Sequence, residues 1–297
     1  MFFISLYFTH GPIYLLSSFI FDIVVSGTDG ENMIDKDRPI AVYDSGVGGI
    51  SVLKKMVRLL PHEDFIYYGD SLNAPYGSKP IQEIKKLTFQ AIDYLMARGV
   101  KAIVIACNTA TSAAIDEVRK AHPELPIFGI EPALKPAVEV APEGSIIVMA
   151  TELTLKEKKF DQLVVNVARS RQVIKMSCPG LVELIETGQA DSALTREYLS
   201  DKFKDLDRAS FNAVVLGCTH YAFILKTLQE VIGNDKIIVD GADGIARHLS
   251  SILSERNLLT KRTGPGEVQI LNSAPGDDLL KLSMDLLIFR DIEPNAQ

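Results

Sequence analysis

Two of the three cysteines in this 297-residue chain close short apolar segments and are followed by small polar residues. Cys107 ends AIVIAC and precedes Asn-Thr, whereas Cys218 ends AVVLGC and precedes Thr-His. A thiol placed after a buried strand and before a helix lies near unpaired backbone N–H groups, which favour the thiolate. We therefore expect thiolate character near neutral pH at both cysteines, so that each could remove or deliver a proton.

Asp44 and His220 are the residues best placed in the sequence to polarise the two thiols. Asp44 ends the apolar run IAVYD, and His220 follows Cys218 by two residues. Each also has a structural alternative, Asp44 as a cap or turn residue and His220 as a first-turn histidine. Cys178 lacks a comparable polar partner in the sequence and is expected to be structural.

The loop DSGVGG, which begins at Asp44, follows an apolar strand and contains three glycines. Such a loop is expected to bring backbone N–H groups close to a ligand. It lacks both the GxGxxG spacing and the GK[ST] ending, so a nucleotide is not indicated. The hydroxyl and amide groups of the Ser-Gly, Asn-Thr and Thr-His pairs would suit a small zwitterion, whose ammonium and carboxylate groups need fixed partners.

Composition excludes several other classes of function. The net charge of -7 and the absence of a basic stripe argue against nucleic-acid binding. Three cysteines without a CxxC pair or neighbouring histidines suggest neither a disulfide scaffold nor a metal site. We therefore expect no metal, a reducing compartment and a cytoplasmic location.

Residues 1–35 differ from the rest of the chain, because they are strongly apolar and contain neither Lys nor Arg. Polar or helix-breaking residues interrupt the apolar run, and a secretory signal would carry a positive first region. Met33 directly precedes the first recognisable strand. We expect translation to start near Met33, with a membrane tether as the less favoured alternative.

From residue 38 onward, short β-branched runs alternate with amphipathic segments of about a dozen residues, as in βα units on a parallel sheet. Helices are predicted in SVLKKMVRLL, in IQEIKKLTFQAIDYLMARG and in TSAAIDEVRKA. The predicted strands cover residues 40–44, 65–70, 102–107, 127–131, 145–151, 173–178, 213–218 and 237–241.

The two halves of this pattern repeat. Cys107 and Cys218 are separated by 218 − 107 = 111 residues, and three other strand ends keep nearly the same offset. These are Asp44 with Ala150 (106), Asp70 with Cys178 (108), and Glu131 with Gly241 (110). We interpret this as an internal duplication that produces two similar parallel-sheet α/β domains related by pseudo-symmetry. Because open α/β sheets bind ligands at the carboxyl ends of their strands, the two cysteines would face each other across a cleft.

Four separated segments resemble those of glutamate racemases, and the similarity runs from about residue 38 to the end. The segments are AVYDSGVGG (41–49), YGDSLNAPYG (68–77), ACNTATSA (106–113) and LGCTHY (216–221). The resemblance implies an isomerase, an amino-acid racemase without a cofactor, that supplies D-glutamate for peptidoglycan, cell-wall biogenesis and cell shape. It also implies a first domain of residues 36–131 plus 241–297 and a second domain of residues 132–240.

Carried over by motif, the resemblance implies a two-base reaction in which Cys107 acts on D-glutamate and Cys218 on L-glutamate. Asp44 and His220 would assist the two thiols. The substrate-binding positions implied are Asp44, Ser45, Tyr76, Gly77, Asn108, Thr109, Thr219 and His220.

Two details of the resemblance are less direct. Asp70 and Glu186 match further acidic positions, although Glu183 lies one turn from Glu186 and leaves that assignment open. The chain also departs from a common family pattern in TLKEKKF (154–160), where Glu157 and Phe160 replace Ser and Tyr. This departure concerns how the second domain closes or is regulated, and not the catalytic set.

Other functions stay open. One is a racemase of aspartate or of a hydantoin on the same scaffold, although His220 favours glutamate because aspartate-type relatives usually have an acidic residue there. Another is a non-catalytic small-molecule binder, and a gyrase-inhibiting role has no discriminating motif. A homodimer and activation by a cell-wall precursor are also left open, whereas no nucleic-acid partner is expected.

Overall fold

The structure is a computed structural model that describes residues 34–141, 143–168 and 171–288, together with the backbone of residues 3–4 and 15–16. The predictions made for the segment before Met33 lie outside the described residues, apart from those four positions. Within the described part of the chain, no helix has the length and apolar character needed to cross a membrane.

Two sheets with helices on their faces form two α/β domains, as predicted. The described strands are β1 (Phe3–Ile4), β2 (Leu15–Leu16), β3 (Ile40–Asp44), β4 (Phe65–Gly69), β5 (Ala102–Ile105), β6 (Ile127–Gly129), β7 (Ser145–Ala150), β8 (Val173–Ser177), β9 (Phe211–Leu216), β10 (Ile237–Asp240) and β11 (Val268–Asn272). All eight predicted strands are present as β3 to β10, and β1, β2 and β11 are additional.

The helices are mostly amphipathic and connect consecutive strands. They are α1 (Ile50–Leu59), α2 (Ile81–Met96), α3 (Asn108–Ala121), α4 (Leu134–Val140), α5 (Glu152–Lys156), α6 (Lys158–Val167), α7 (Leu181–Glu186), α8 (Ala193–Phe203), α9 (Leu225–Ile232), α10 (Ala242–Glu255) and α11 (Asp278–Ile288). Short 3-10 helices cover Ser71–Asn73, Tyr76–Ser78 and Thr219–Ile224.

The strand order confirms the duplication. The first sheet has the order β2-β1-β11-β4-β3-β5-β6, and the second has the order β10-β9-β7-β8. If β3, β4, β5 and β6 are matched with β7, β8, β9 and β10, the two sheets have the same order of parallel strands. The first sheet continues with β11, which is parallel to β4, and then with β1 and β2, which pair antiparallel. The domain boundaries given above stay a prediction.

Alternating residues of each central strand pack on opposite faces of its sheet, which explains the continuous apolar runs in the sequence. In β3, Ile40 and Val42 belong to one apolar cluster, whereas Ala41 and Tyr43 belong to another on the opposite face. In β7, Ile147 and Ile146 divide between two further clusters in the same way. Each sheet thus has its own core, and the polar residues at the carboxyl ends of the strands are left to form a site.

Candidate active site

Cys107 lies between strand β5 of the first sheet and helix α3. β5 ends at Ile105, and Cys107 is the N-terminal cap of α3. Its Sγ accepts a hydrogen bond from the Ala110 backbone N–H at 3.4 Å and donates one to Ser45 Oγ, also at 3.4 Å. The thiol therefore caps the helix as a serine hydroxyl would, and it links the helix to the loop after β3.

The expected thiolate character of Cys107 is wrong for this arrangement. Burial, and after it the charge of the nearby Asp44 carboxylate, raise the pKa of Cys107 to about 12. The hydrogen bonds that Cys107 makes with Ser45 and Ala110 lower the pKa but do not compensate for burial. Desolvation thus outweighs the helix N-terminus, and the side chain is a neutral thiol near pH 7.

Cys218 occupies the corresponding end of the second sheet in different surroundings. β9 ends at Leu216, and Cys218 precedes the 3-10 helix Thr219–Ile224 without capping it through its side chain. Its Sγ lies 3.8 Å from Nδ1 of His220. This sulfur therefore has a titratable neighbour within reach for proton exchange.

His220 links Cys218 to a carboxylate on the second domain. Its Nε2 lies 2.6 Å from Oε1 of Glu186, and that oxygen also accepts a hydrogen bond from the Val47 backbone N–H at 2.8 Å. Burial alone would lower the pKa of His220, but its hydrogen bonds with Cys218 and Glu186 outweigh burial and raise the pKa well above 6.5. Burial raises the pKa of Glu186, but the hydrogen bond and charge of His220 together with the Val47 N–H outweigh burial, and the net shift of the pKa is downward. The pair is therefore an imidazolium and a carboxylate.

Of the two glutamates that sequence analysis left open, Glu186 is the one that contacts His220. Glu183 lies one turn earlier on α7 and lines the neighbouring cavity. The Glu186 carboxylate also receives the Val47 N–H from the first domain. This contact joins the two domains at the site.

Asp44 is fully buried at the end of β3. Its Oδ1 accepts from the Gly46 backbone N–H at 3.0 Å, and its Oδ2 accepts from Thr219 Oγ1 at 3.0 Å. Burial raises the pKa of Asp44, although His220 opposes that shift. The carboxylate thus acts on Cys107 through its charge rather than as the hydrogen-bond partner of Sγ.

The loop after Asp44 packs tightly against the second domain at Gly48. A Cβ on Gly48 would lie 2.3 Å from His220 Nδ1 and 2.5 Å from Thr219 Oγ1, which no real side chain tolerates. The loop therefore needs glycine there so that it can lie directly against the second domain. The Val47 N–H of this loop donates to the Glu186 carboxylate.

A cavity of about 120 Å³ lies between the two domains, and both cysteines line it. Every predicted catalytic or binding residue contributes to its wall except Asp44, which is buried behind it. The predicted residues on the wall are Ser45, Tyr76, Gly77, Cys107, Asn108, Thr109, Cys218, Thr219 and His220.

Asn108 presents an unused acceptor at this cavity. The residue is 5% exposed, and its Oδ1 is buried without a hydrogen-bond partner. Leaving such an oxygen unpaired costs about 1–3 kcal/mol. A ligand donor, such as an ammonium group, would remove that cost.

Tyr76 is fixed by protein groups. Its hydroxyl donates to Asp70 Oδ2 at 2.6 Å and lies 2.7 Å from the Tyr43 hydroxyl. Asp70 also accepts two hydrogen bonds from Asn73 Nδ2. Asp70 therefore does not line the cavity. It positions the ring of Tyr76, which does.

Among the wall residues that sequence reasoning did not assign to the site are Thr151 and Cys178. Thr151 Oγ1 lies 3.0 Å from Thr109 Oγ1 and 2.9 Å from Thr154 Oγ1, so three hydroxyls join α3 to α5. The repeat contained a signal for both residues. Thr151 follows Ala150 as Ser45 follows Asp44, and Cys178 is the equivalent of Asp70.

The two departures from the family pattern lie away from the cavity wall. Phe160 is 2% exposed and packs in a core cluster of the second domain. Glu157 precedes α6 without a side-chain capping hydrogen bond. In the described ranges, no three His, Cys, Asp or Glu side chains are gathered in a way that could hold a metal ion.

A duplicated α/β scaffold with two cysteines on one interdomain cavity is characteristic of a class of racemases, and the comparison of sequences agrees. The family profile described as Asp/Glu/hydantoin racemase matches residues 44–249. The chain belongs to this family.

Within the family, the chain is similar to glutamate racemases. The glutamate racemase of Clostridium botulinum (strain Hall) is 51% identical over 250 residues, which cover 84% of this chain and 97% of that protein. The structure of glutamate racemase from Francisella tularensis in complex with D-glutamate has 26% identity and a TM-score of 0.76, and the match covers 86% of this chain and 95% of that one. Escherichia coli glutamate racemase in complex with L-glutamate and the activator UDP-MurNAc-Ala has 26% identity and a TM-score of 0.74, covering 84% and 95%.

Proposed function

We propose that this protein interconverts L-glutamate and D-glutamate by a two-base mechanism in which Cys107 and Cys218 act on opposite faces of the α-carbon. The observation that carries the proposal is the pair of thiols at equivalent strand ends of two domains, both on the wall of one cavity. The family membership and the 51% identity to a glutamate racemase support the same reaction.

Removal of an α-proton is difficult because the carbanion next to a carboxylate is poorly stabilised. In the proposed reaction, one sulfur takes the α-proton as a thiolate while the other delivers a proton from the opposite side as a thiol. Fixed donors around the cavity hold the carboxylate as negative charge develops. The product then leaves the enzyme with the protonation states of the two sulfurs exchanged.

The substrate groups have separate partners in this proposal. The free Oδ1 of Asn108 and the buried Asp44 carboxylate favour the ammonium group. The hydroxyls of Ser45 and Thr109 can donate to carboxylate oxygens, whereas the Thr219 hydroxyl already donates to Asp44. Tyr76 and Gly77 close the wall next to them.

The two thiols would receive different assistance. The imidazolium of His220, 3.8 Å from Cys218 Sγ, can stabilise negative charge that develops on that sulfur, and Glu186 holds the imidazolium in place. On the other side, Ser45 fixes the Cys107 sulfur and Asp44 supplies a negative field. As the resemblance to glutamate racemases implies, Cys218 would act on L-glutamate and Cys107 on D-glutamate.

The cellular role that follows is the supply of D-glutamate for peptidoglycan from a cytoplasmic enzyme. Activation by a peptidoglycan precursor is part of the proposal, because the similar Escherichia coli enzyme has been solved with such an activator. A homodimer is a further expectation of the same kind.

The test is to incubate the purified protein with L-glutamate in deuterium oxide and to follow optical rotation and the α-proton signal together. We expect optical activity and the α-proton signal to disappear at comparable rates. Binding of glutamate with no deuterium at its α-carbon would defeat the proposal and leave a binding protein. A parallel panel with L-aspartate and a hydantoin would identify another substrate of the family if glutamate were inert.

A further inference from the structure

Two chain segments pass from one sheet to the other next to the thiol-bearing strands. After β6 of the first sheet, the chain runs through Ile130 and Glu131 into α4, which packs on the second sheet. After β10 of the second sheet, it returns through Gly241 into α10, which packs in the first domain. The relative position of the domains depends on how these two crossings meet.

The crossings are in direct contact at Gly241. A Cβ at this position would lie 2.8 Å from the Glu131 carbonyl oxygen and 2.9 Å from Ile130 Cγ1. Real Cβ atoms essentially never approach other atoms within 3.0 Å, so any other residue would push the segments apart. The backbone of Gly241 has φ −87°, which every residue can adopt. Glycine is therefore required here for the close approach and not for its conformation.

The duplication relates this contact to the two thiols. Glu131 and Gly241 are equivalent positions at an offset of 110, as Cys107 and Cys218 are at 111. Both pairs therefore lie across the same pseudo-symmetry axis, one forming a backbone contact and the other facing a shared cavity.

The strands that precede the Gly241–Glu131 contact, β6 and β10, are the direct neighbours of β5 and β9, the strands that precede the two thiols. β6 pairs with β5, where Gly129 lies opposite Ile105, and β10 pairs with β9, where Asp240 lies opposite Leu216. Neighbouring strands are held about 4.8 Å apart by their hydrogen bonds. A displacement at Gly241 is therefore transmitted to Cys107 and Cys218 through two short ladders.

We infer that Gly241 is a positioning residue that sets the gap between the Cys107 and Cys218 sulfurs through its contact with Glu131. The inference rests on the proposed racemase function, because only a two-sulfur reaction needs a fixed gap. Each sulfur must approach one α-carbon to about 3–3.5 Å, and a misplacement of 1 Å can cost about 10²-fold in rate.

The experiment compares Gly241→Ala with Gly244→Ala. Gly244 lies three residues further along in α10, and a Cβ there meets nothing within 4 Å, so it is a matched control. L-glutamate is incubated with each variant and with the unchanged enzyme in deuterium oxide. The measured quantities are kcat, KM and the ratio of α-deuterated L-glutamate recovered to D-glutamate formed.

For Gly241→Ala we expect kcat to fall about 10-fold, with KM changed by less than about threefold. The ratio of exchange to inversion should rise at least about threefold, because one sulfur still removes the proton while the other is too distant to deliver. Gly244→Ala should match the unchanged enzyme in all three quantities. A mere loss of folded protein would lower the rate and leave the ratio as it was.

Two results would overturn the inference: a kcat for Gly241→Ala within twofold of that for Gly244→Ala, or a lower kcat with an unchanged ratio. If Gly241→Ala does not fold, Ile130→Ala/Gly241→Ala removes the side-chain part of the clash, and the same ratio is measured. Failure of the unchanged enzyme to racemise glutamate would instead defeat the proposed function, so the two failures are distinct.

Discussion

The two cysteines occupy equivalent strand ends, but their sulfur atoms have different surroundings. Cys107 Sγ is held by the Ser45 hydroxyl and the Ala110 backbone N–H, each at 3.4 Å. Cys218 Sγ lies 3.8 Å from His220, which is paired with Glu186. The duplicated scaffold thus fixes where the thiols lie, and the residues after each strand determine what assists them.

This difference suggests different roles for the two thiols. Burial raises the pKa of Cys107 to about 12, so this sulfur is protonated and ready to donate. On the other side, an imidazolium faces Cys218 and can stabilise a negative sulfur. We therefore expect the enzyme before catalysis to be prepared for L-glutamate, with Cys218 as the base and Cys107 as the acid.

The largest effect should come from removing either thiol. Cys107→Ala and Cys218→Ala should each abolish racemisation in both directions, by at least about 10³-fold, because every turnover of the proposed mechanism uses both sulfurs. The partial reactions should separate them: Cys107→Ala should still exchange the α-proton of L-glutamate, whereas Cys218→Ala should exchange that of D-glutamate more slowly, because Cys107 is protonated. Nuclear magnetic resonance of each enantiomer in deuterium oxide measures this. Racemisation by Cys107→Ala near the original rate would contradict the two-thiol mechanism.

A smaller effect is expected from His220→Asn, which removes the assistance to Cys218 alone. We expect kcat/KM to fall about 10²-fold, and equally in both directions, because enantiomers have an equilibrium constant of one. The asymmetry should appear in isotope effects. The effect of α-deuteration on kcat/KM should grow for L-glutamate and shrink for D-glutamate. Equal changes for both enantiomers would mean that His220 does not serve Cys218 in particular.

Glu186→Gln should act through the pKa of His220. Removal of the carboxylate lowers that pKa, so we expect the alkaline limb of the kcat profile to move to lower pH and kcat to fall about 10-fold. Glu183→Gln, one turn away on α7, is the matched control and should leave the profile in place. The histidine signals in a pH titration by nuclear magnetic resonance give an independent reading, and an unshifted His220 signal in Glu186→Gln would refute the link.

The same ion pair has a defined pH window for stability. The pKa of His220 is raised on folding, so its contribution is complete below about 6.5 and is lost as pH rises through the raised value. The pKa of Glu186 is lowered, so its contribution is present above about 4.5 and is lost as pH falls through the lowered value. In denaturant unfolding, the free energy of unfolding of Glu186→Gln should therefore fall furthest below that of the unchanged protein between these two pH limits.

The smallest effect is expected for Cys178→Ser. This thiol lines the cavity, but its Sγ donates only a long 3.6 Å hydrogen bond to the Met176 carbonyl oxygen. A serine can make the same bond, so kcat should stay within about threefold of the original. Loss of racemisation comparable to that of the other two cysteine variants would show that the site uses three thiols.

Much of the fold was accessible from the sequence because buried parallel strands are continuous apolar runs, and all eight predicted strands exist. The repeat then predicted which strand ends are equivalent. β11 was not predicted, although it joins the first sheet beside β4 after a long excursion of the chain through the second domain. β4 and β11 are far apart in the sequence, and the residues between them carry no pattern that indicates this pairing.

The sequence predicted which residues form the site better than it predicted how they interact. Residue types and spacing pointed to Cys107, Cys218 and the other residues of the cavity wall. The pKa of Cys107 could not be predicted, because it depends on burial by both domains, which outweighs the local helix terminus. Similarly, the contact of Val47 with Glu186 joins residues 139 positions apart, and only the folded chain reveals it.

Both repeated halves of this protein are encoded in one chain, and this has a genetic consequence. In a symmetric pair of separate subunits, any substitution next to one thiol would appear next to the other as well. Covalent duplication removes that constraint, so a histidine could be acquired beside Cys218 while the corresponding position after Cys107 became a threonine, Thr109. The contact between the Val47 N–H and Glu186 across the domains can then exist in one half only. In a dimer of identical chains, the same contact would be encoded in both subunits.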